Sequence, residues 1–278
     1  MSRFSIRVLL VLMTASGLTT SATGQLIVAH RGASRDAPEN TRAAFELAWQ
    51  QGADGIECDF RLTADGEVVC IHDKTTGRTA GVERSVAGSR LADLQQLDVG
   101  AWMDERFAGQ RILTLAEVLR LVPQNRMVVI ELKCGPEIVA PTVTALNQSD
   151  LENEQILVIS FQADTIATIR QKMPGLRTHW LSGYEPDGEV GPWEPDAAAV
   201  VETIRGCGAA GFGSEARTGV FDDRFVGGLR AAGIGEFHVW TVDDPEVARF
   251  YRDLGAWGIT TNRPGFIRRA LRDPGNDR

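Results

Sequence analysis

Gly55-Ile56-Glu57-Cys58-Asp59-Phe60-Arg61-Leu62-Thr63-Ala64-Asp65-Gly66-Glu67-Val68-Val69-Cys70-Ile71-His72-Asp73 decides how the rest of the chain is read. Two short extended runs flank an Asp-Gly turn, which is a hairpin signal. Side chains alternate along a strand, so Glu57, Asp59 and Arg61 share one face while Ile56, Cys58 and Phe60 share the other. Two carboxylates side by side repel, and burying them costs far more unless something compensates. A hard divalent cation with oxygen ligands is one such compensation. His72 returns on the partner run, and a carboxylate pair with an imidazole is the start of a metal-assisted acid–base site. Taken alone, Glu-x-Asp would read as ordinary solvated charge; the surrounding chain decides otherwise.

Outward from this hairpin the pattern is regular. Leu26-Ile27-Val28-Ala29 is an apolar run that predicts a buried strand ending in His30-Arg31-Gly32. Pro38-Glu39-Asn40-Thr41 leads into a helical stripe over 42–51, with Asn40 or Thr41 as the N-cap. Residues 74–113 break the pattern with repeated glycines and predict a long loop insertion, with a brief helix over 91–97. A helix follows over 115–121. Strands are then expected at 127–133, 156–161, 176–181, 209–213, 236–242 and 257–260, each followed by a helix. With the two opening strands this makes eight near-continuous apolar strands alternating with helices. That pattern predicts an α/β fold, a (β/α)8 TIM barrel with its insertion after the second-strand hairpin. No Gly-x-Gly-x-x-Gly follows the first strand, so the dinucleotide-binding argument is missing.

The 278 residues suit one such barrel, which typically needs about 250. Residues 1–24 read as a secretory signal: Arg3 and Arg7 open it, Val8 to Met13 are apolar, and Ala22-Thr23-Gly24 supplies small residues before Gln25. The apolar core falls short of the ~20 residues a spanning helix needs, so no stable membrane anchor is expected. This predicts a secreted or periplasmic protein with its barrel domain over 25–272 and a frayed tail at 273–278. The formal charge is −8, and removal of Arg3 and Arg7 takes it to −10. An acidic surface argues against nucleic acid as a partner and means that an anionic substrate needs local cations. Four cysteines with no Cys-x-x-Cys do not make a disulfide scaffold, and they read mostly as buried small apolar residues.

In such barrels the active site lies at the carboxyl ends of the strands. His30 and Arg31 end the first strand, Glu57 and Asp59 lie late in the second, Glu131 and Lys133 end the third, and Trp240 lies late in the seventh. Glu57, Asp59 and Glu131 make an all-oxygen metal site, which favours Ca²⁺ or Mg²⁺ over Zn²⁺. Arg31 and Lys133 add positive charge suited to a phosphate. Two histidines can then move protons to and from the attacking and leaving oxygens. This constellation spells metal-assisted cleavage of a phosphodiester. His179 and His238, on later strands, read as satisfied core or rim histidines rather than catalysts.

At these residues the chain resembles the glycerophosphodiester phosphodiesterase family. The matches are His30-Arg31-Gly32, Pro38-Glu39-Asn40-Thr41, Glu57-x-Asp59, Asp65-Gly66, His72-Asp73, the Leu97-Asp98 to Thr114-Leu115-Ala116-Glu117 insertion, Glu131-x-Lys133, Ser160-Phe161 and Val239-Trp240-Thr241-Val242. The resemblance implies hydrolysis of a small glycerophosphodiester to glycerol 3-phosphate and an alcohol. It implies His30 and His72 as the acid–base pair, Glu57, Asp59 and Glu131 as metal ligands, and Arg31 and Lys133 at the phosphate. Trp240 would pack on the glycerol, and Glu39 would either support the site or simply start the helix. Two departures stand out: Asn262 where the family often has an aspartate, and Asp243-Asp244 where it usually has Asn-Asp. On this reading neither touches the chemistry, and both bear on substrate fit.

Two alternatives use other evidence. A lysophospholipase D-like or cyclic-phosphate-forming phospholipase would keep the same site and add an apolar face, to which Trp102, Met103 and Phe107 could contribute. A non-catalytic barrel that only binds would be free to lose a histidine or a carboxylate, and none is missing here. The sequence leaves the oligomeric state open.

Overall fold

The computed structural model describes residues 26–186 and 191–272. The proposed signal segment and the frayed tail therefore lie outside the described residues. The chain begins with β1 (Leu26–Ala29), α1 (Arg42–Gln50), β2 (Gly55–Leu62) and β3 (Val68–Cys70). The insertion adds two short helices, α2 (Gly77–Ala80) and α3 (Leu91–Leu94). Then come α4 (Leu115–Leu119), β4 (Met127–Leu132), α5 (Val139–Asn147), β5 (Ile156–Ser160), α6 (Ala163–Lys172) and β6 (Arg177–Ser182). A small hairpin, β7 (Glu185–Pro186) with β8 (Trp193–Glu194), precedes α7 (Ala197–Cys207) and β9 (Gly211–Glu215). The chain continues with α8 (Asp223–Ala231), β10 (Phe237–Trp240), α9 (Pro245–Asp253), β11 (Gly258–Thr261) and α10 (Pro264–Arg272).

Eight parallel strands close on themselves in the order β1-β2-β4-β5-β6-β9-β10-β11, and β11 pairs back to β1. The predicted (β/α)8 barrel is the observed fold. Its closure rests on the alternation of each strand. On β2, Ile56, Cys58 and Phe60 point outward into an aliphatic layer under α1, α4 and α5, which leaves Glu57 and Asp59 inside the barrel. On β4, Val128, Ile130 and Leu132 do the same and send Val129 and Glu131 inward. A separate interior layer of Val28, Val129, Leu157, Ile159 and Leu181 fills the barrel beneath the polar residues.

The β2–β3 hairpin is antiparallel, with Phe60 opposite Cys70. Gly66 takes φ +84°, which its turn requires, and Gly66 N–H donates to the Thr63 carbonyl at 3.1 Å. Ile71 N–H then donates to the Asp59 carbonyl at 2.9 Å, and this carries His72 back beside the carboxylates. The insertion packs Val86, Leu94, Val99 and Ile112 against Val69 and Ile71 of the hairpin in a small core of its own. Differences from expectation lie at element ends. The brief helix stops at Leu94, where Leu97 N–H turns back to the Leu94 carbonyl, and β3 is shorter than its run of apolar residues. The four cysteines are free thiols, and Cys58, Cys70 and Cys207 are buried.

Candidate active site

The site is assembled from the ends of β1, β2 and β4. After β1, Arg31 (φ 54°) and Gly32 (φ +84°) turn the chain sharply. A Cβ at Gly32 would lie 2.7 Å from the Ala44 backbone, so only glycine lets α1 pack this close. The turn aims Arg31 N–H at Glu57 Oε2, 2.9 Å away. The Arg31 guanidinium reaches Asp59 Oδ2 at 3.2 Å and Glu39 Oε1 at 3.0 Å. Lys133 Nζ lies 2.7 Å from Glu131 Oε1 and 3.2 Å from Asp59 Oδ1. The cross-strand register places Asp59 directly opposite Glu131.

Glu57, Asp59 and Glu131 are buried and offer oxygens that all lie within 4.8 Å of one another. Glu57 Oε1 is sealed from solvent and accepts no hydrogen bond, and Asp59 Oδ1, equally sealed, is faced by the Lys133 ammonium without a well-formed hydrogen bond. Unpaired buried carboxylate oxygens are expensive, and a divalent cation with oxygen ligands fits them. The charge states agree. Burial, Asp59 and Glu131 together push Glu57 well above the usual carboxyl range. Burial and then Asp59 push Glu131 up to about 7, against the pull of Lys133. Burial acts to raise Asp59 as well, but Lys133 and Arg31 outweigh it and hold Asp59 below its ordinary value. Without a cation the cluster keeps protons it would release to bind one.

The two histidines predicted as catalysts flank this cluster. His30 Nε2 is 4.0 Å from Glu57 Oε2, and its Nδ1 is 2.7 Å from Asn262 Oδ1. Asn262 Nδ2 donates to Asp243 Oδ2 at 2.6 Å, which fixes the amide so that its oxygen faces the imidazole. His72 Nδ1 is 2.8 Å from Asp73 Oδ1, and Asp73 Oδ2 accepts from Arg78 Nε at 2.7 Å. In each ring Nδ1 is tied down and Nε2 is left for the cavity. Burial, followed by the charge of Arg31, lowers the His30 pKa, and burial lowers that of His72.

A cavity of about 130 Å³ opens above these groups, lined by His30, Arg31, Glu57, His72, Glu131 and Lys133 on one side. Its other side is Ile159, Phe161, Leu181, His238, Trp240 and Thr260. Trp240 and Phe161 meet edge to face with centroids 5.4 Å apart. A larger open groove of about 1000 Å³ runs between α7 and α8 on the outer face and contains none of these residues. The smaller cavity, not the larger groove, is where the ionisable side chains converge.

All the sequence-predicted site residues come together here. Asn262 and Asp243, expected to bear on substrate fit, lie against His30: Asn262 Oδ1 faces its Nδ1, and Asp243 holds the Asn262 amide. Barrel closure puts β11 beside β1, and no local pattern links residues 232 positions apart. Glu39 supports the site by holding Arg31 and Arg78, while Thr41 is the helix N-cap. Asn40, read as a cap alternative, instead adopts φ 57° and clasps Asp59, with its Nδ2 2.8 Å from Asp59 Oδ2. Asp73 and Arg78 were also missed as site residues. The carboxylate next to His72 was the available signal for the first, and Arg78 in the insertion had none.

A family model, the glycerophosphoryl diester phosphodiesterase family, matches residues 30–266. The chain belongs to this family. A glycerophosphodiester phosphodiesterase of Caldanaerobacter subterraneus subsp. tengcongensis is 40% identical over 173 residues, 60% of this chain and 70% of that one. One of Bacillus subtilis is 29% identical over 255 residues, 86% of this chain and 84% of that one. Among solved structures, an Oleispira antarctica phosphodiesterase in complex with the product sn-glycerol-3-phosphate superposes with a TM-score of 0.77 at 28% identity, covering 88% of this chain and 96% of that one. A glycerophosphodiester phosphodiesterase is therefore the enzyme this barrel carries, and its acidic cluster is suited to a divalent metal.

Proposed function

We propose that this glycerophosphodiester phosphodiesterase hydrolyses its substrate to glycerol 3-phosphate and an alcohol, with His30 and His72 as the acid–base pair and Glu57, Asp59 and Glu131 holding Ca²⁺ or Mg²⁺. The observation that carries the reading is the pair of imidazoles, each anchored through Nδ1 and free at Nε2, on either side of one buried carboxylate cluster in which Glu57 Oε1 has no hydrogen-bond donor. The product-bound Oleispira antarctica relative supports the substrate class.

The anchors divide the roles. His30 donates Nδ1–H to a neutral amide, so its Nε2 is bare and accepts the proton of the attacking water. His72 faces the Asp73 carboxylate, which favours the imidazolium against the effect of burial, and in that protonated form its Nε2–H protonates the leaving alkoxide. As the water oxygen bonds to phosphorus, the bond to the alcohol oxygen breaks. One proton has moved to His30 and one has left His72, and exchange with solvent restores both. Arg31 and Lys133 are fixed by carboxylates and present their remaining donors to the phosphoryl oxygens. A bound divalent cation supplies Lewis-acid charge at the phosphate and a lower water pKa. Residues 1–24 have the composition of an export signal, and we infer secretion or delivery to the periplasm on that basis. Intact mass of the native protein still containing Met1 would overturn the export reading.

The test is phosphorus NMR of glycerophosphocholine turnover with Ca²⁺, Mg²⁺ or chelator, for wild type and His30→Ala. Glycerol 3-phosphate is expected from wild type with metal. The variant, folded by circular dichroism, should lose roughly 10²–10⁴-fold in rate. A cyclic phosphate as the product would replace hydrolysis by internal attack. Turnover that survives both chelation and His30→Ala would mean the chemistry lies elsewhere.

A further inference from the structure

Beneath the carboxylates, the barrel interior holds a second polar chain that the reaction above does not use. His179 on β6 places Nε2 2.7 Å from Glu236 Oε1 and Nδ1 2.8 Å from His238 Nδ1. The two rings stack with centroids 5.0 Å apart. His179 is fully buried and His238 is 2% exposed. Room for them comes from β9. A Cβ at Gly211 would lie 2.6 Å from His179 Nε2, and one at Gly213 would lie 2.7 Å from His238 Nε2. Glu236 precedes β10 at the amino-terminal rim, with Arg177 Nε 3.6 Å from its carboxylate. The chain thus spans the barrel from the far rim to the cavity that His238 lines.

Its hydrogen positions follow from the partners. Burial lowers the pKa of His179, and burial followed by the neighbouring His179 lowers that of His238 well below the usual value. Burial alone would raise Glu236, but the hydrogen bond from His179 holds it low. A carboxylate can only accept, so His179 Nε2 carries the hydrogen. A neutral ring has one N–H, so His179 Nδ1 is bare and accepts from His238 Nδ1–H. His238 Nε2 is then bare too. No hydrogen bond to it is formed among the described residues. Two positions along β10, on the same face, Trp240 Nε1 is a buried donor without a partner.

We propose that His238, with its tautomer set by the His179–Glu236 pair, is a positioning and specificity residue that accepts a hydrogen bond from a substrate carbinol hydroxyl, while Trp240 Nε1–H donates to that hydroxyl's oxygen. A hydroxyl both donates and accepts, so it satisfies the pair where a methylene leaves both atoms unpaired. The surrounding wall of Ile159, Phe161 and Leu181 takes the carbon skeleton. This inference rests on the phosphodiesterase reading and deepens it from reaction class to the recognition of a hydroxylated alcohol moiety.

The experiment compares kcat/KM for glycerophosphocholine with that for propyl phosphocholine, which lacks both glycerol hydroxyls, in saturating metal. Wild type should prefer the hydroxylated substrate at least tenfold, and His238→Phe should cut that preference at least tenfold. Glu236→Gln should keep the preference, because its amide oxygen still accepts from His179. Glu236→Lys should lose it, because an ammonium only donates and reverses the chain. Nitrogen-15 NMR of wild type should show a bare Nε2 and a protonated Nδ1 on His238, which tests the tautomer without any variant. A protonated His238 Nε2, or equal losses on both substrates in His238→Phe, would overturn the proposal. Wild type cleaving both substrates equally would overturn it while leaving the phosphodiesterase reading standing. Cleavage of neither would overturn that reading as well.

Discussion

The two halves of the barrel send very different residues into its mouth. From β1, β2 and β4 come His30, Glu57, Asp59, Glu131 and Lys133, every one ionisable. From β5, β6, β10 and β11 come Ile159, Leu181, His238, Trp240 and Thr260, none charged at neutral pH. Their outer layers differ as well. The first half packs mostly aliphatic residues against its helices, while the second interlocks Phe212, Phe221, Phe225, Phe237 and Tyr251, with Phe221 5.2 Å from both Phe225 and Phe237. The first half spends stability to hold charges together, and the second gains it by burying carbon. On the proposed reading, chemistry and substrate grip are thus largely divided along the sequence, between β4 and β5.

The sharpest way to break that comparison is to neutralise one charge in the first half. Glu57→Gln removes a ligand oxygen from a cluster that already repels itself. Turnover should fall by roughly 10²–10⁴-fold, the scale of losing several kcal/mol of charge stabilisation. The metal-free variant should melt no lower than wild type and gain on the order of 1 kcal/mol in stability, since active-site charges are kept at the expense of stability. Leu181→Ala on the opposite wall should do the reverse to stability, costing about 2–5 kcal/mol through the cavity it leaves. Thermal melts of both variants in chelator decide the matter; a large loss of stability in Glu57→Gln would mean the cluster is not strained.

Next in size is the effect of metal and pH. Glu131, raised to about 7, and Glu57, also raised, bind more protons folded than unfolded. The contribution of these two carboxyls to the stability of the metal-free protein therefore falls as pH rises from about 4.5, the unfolded value, through about 7, while the lowered histidines act in the opposite sense below about 6.5. Asp59 acts oppositely, but its contribution is complete above its unfolded value of 3.8 and is lost only under more acid conditions. Ca²⁺ or Mg²⁺ should accordingly raise the melting temperature more at pH 8 than at pH 5, because at pH 5 the cation must displace protons. Equal shifts at the two pH values would show that the carboxylates are already ionised without metal.

A third test concerns the anchor of His30. Asn262→Leu leaves Nδ1 without its acceptor and should lower kcat about 10–100-fold, the usual range for losing such an orienting partner. Asn262→Asp restores an acceptor and adds a charge that favours imidazolium. It should recover much of kcat while moving the acid limb of the pH profile upward. Recovery without any shift in that limb would mean Asn262 only packs against the ring.

These cases also show what could be read from the linear chain. Glu57, Asp59 and Glu131 were legible because strand alternation and barrel topology turn local spacing into a shared face. The eight-strand order followed from runs of apolar residues. Asn262 and Asp243 were not legible as site residues, since their contact with His30 exists only once β11 closes on β1. Asn40 looked like a helix cap because caps and carboxylate clasps favour the same short amide. Arg78 lies in a glycine-rich insertion whose sequence says loop and nothing about direction. His179 and His238 read as core residues, and by burial they are; only the missing partner of one nitrogen sets His238 apart.

The smallest effect is expected at Phe161, where the second half meets solvent. Phe161 is 46% exposed, yet its ring holds Trp240 edge to face at an interplanar angle of 79°, and its carbonyl accepts from Trp180 Nε1 at 3.0 Å. Phe161→Ala keeps the carbonyl and removes only the ring. An aromatic pair of this kind is worth about 0.5–1.5 kcal/mol, so KM for glycerophosphocholine should rise roughly 2–12-fold. Because the ring packs on Trp240 in the apolar wall, kcat should stay within about twofold, as expected when binding common to ground and transition states is lost. Steady-state kinetics separates the two parameters. If kcat instead fell as far as in Asn262→Leu, the apolar wall would be positioning the phosphorus for attack, and grip and chemistry would be one function spread across both halves.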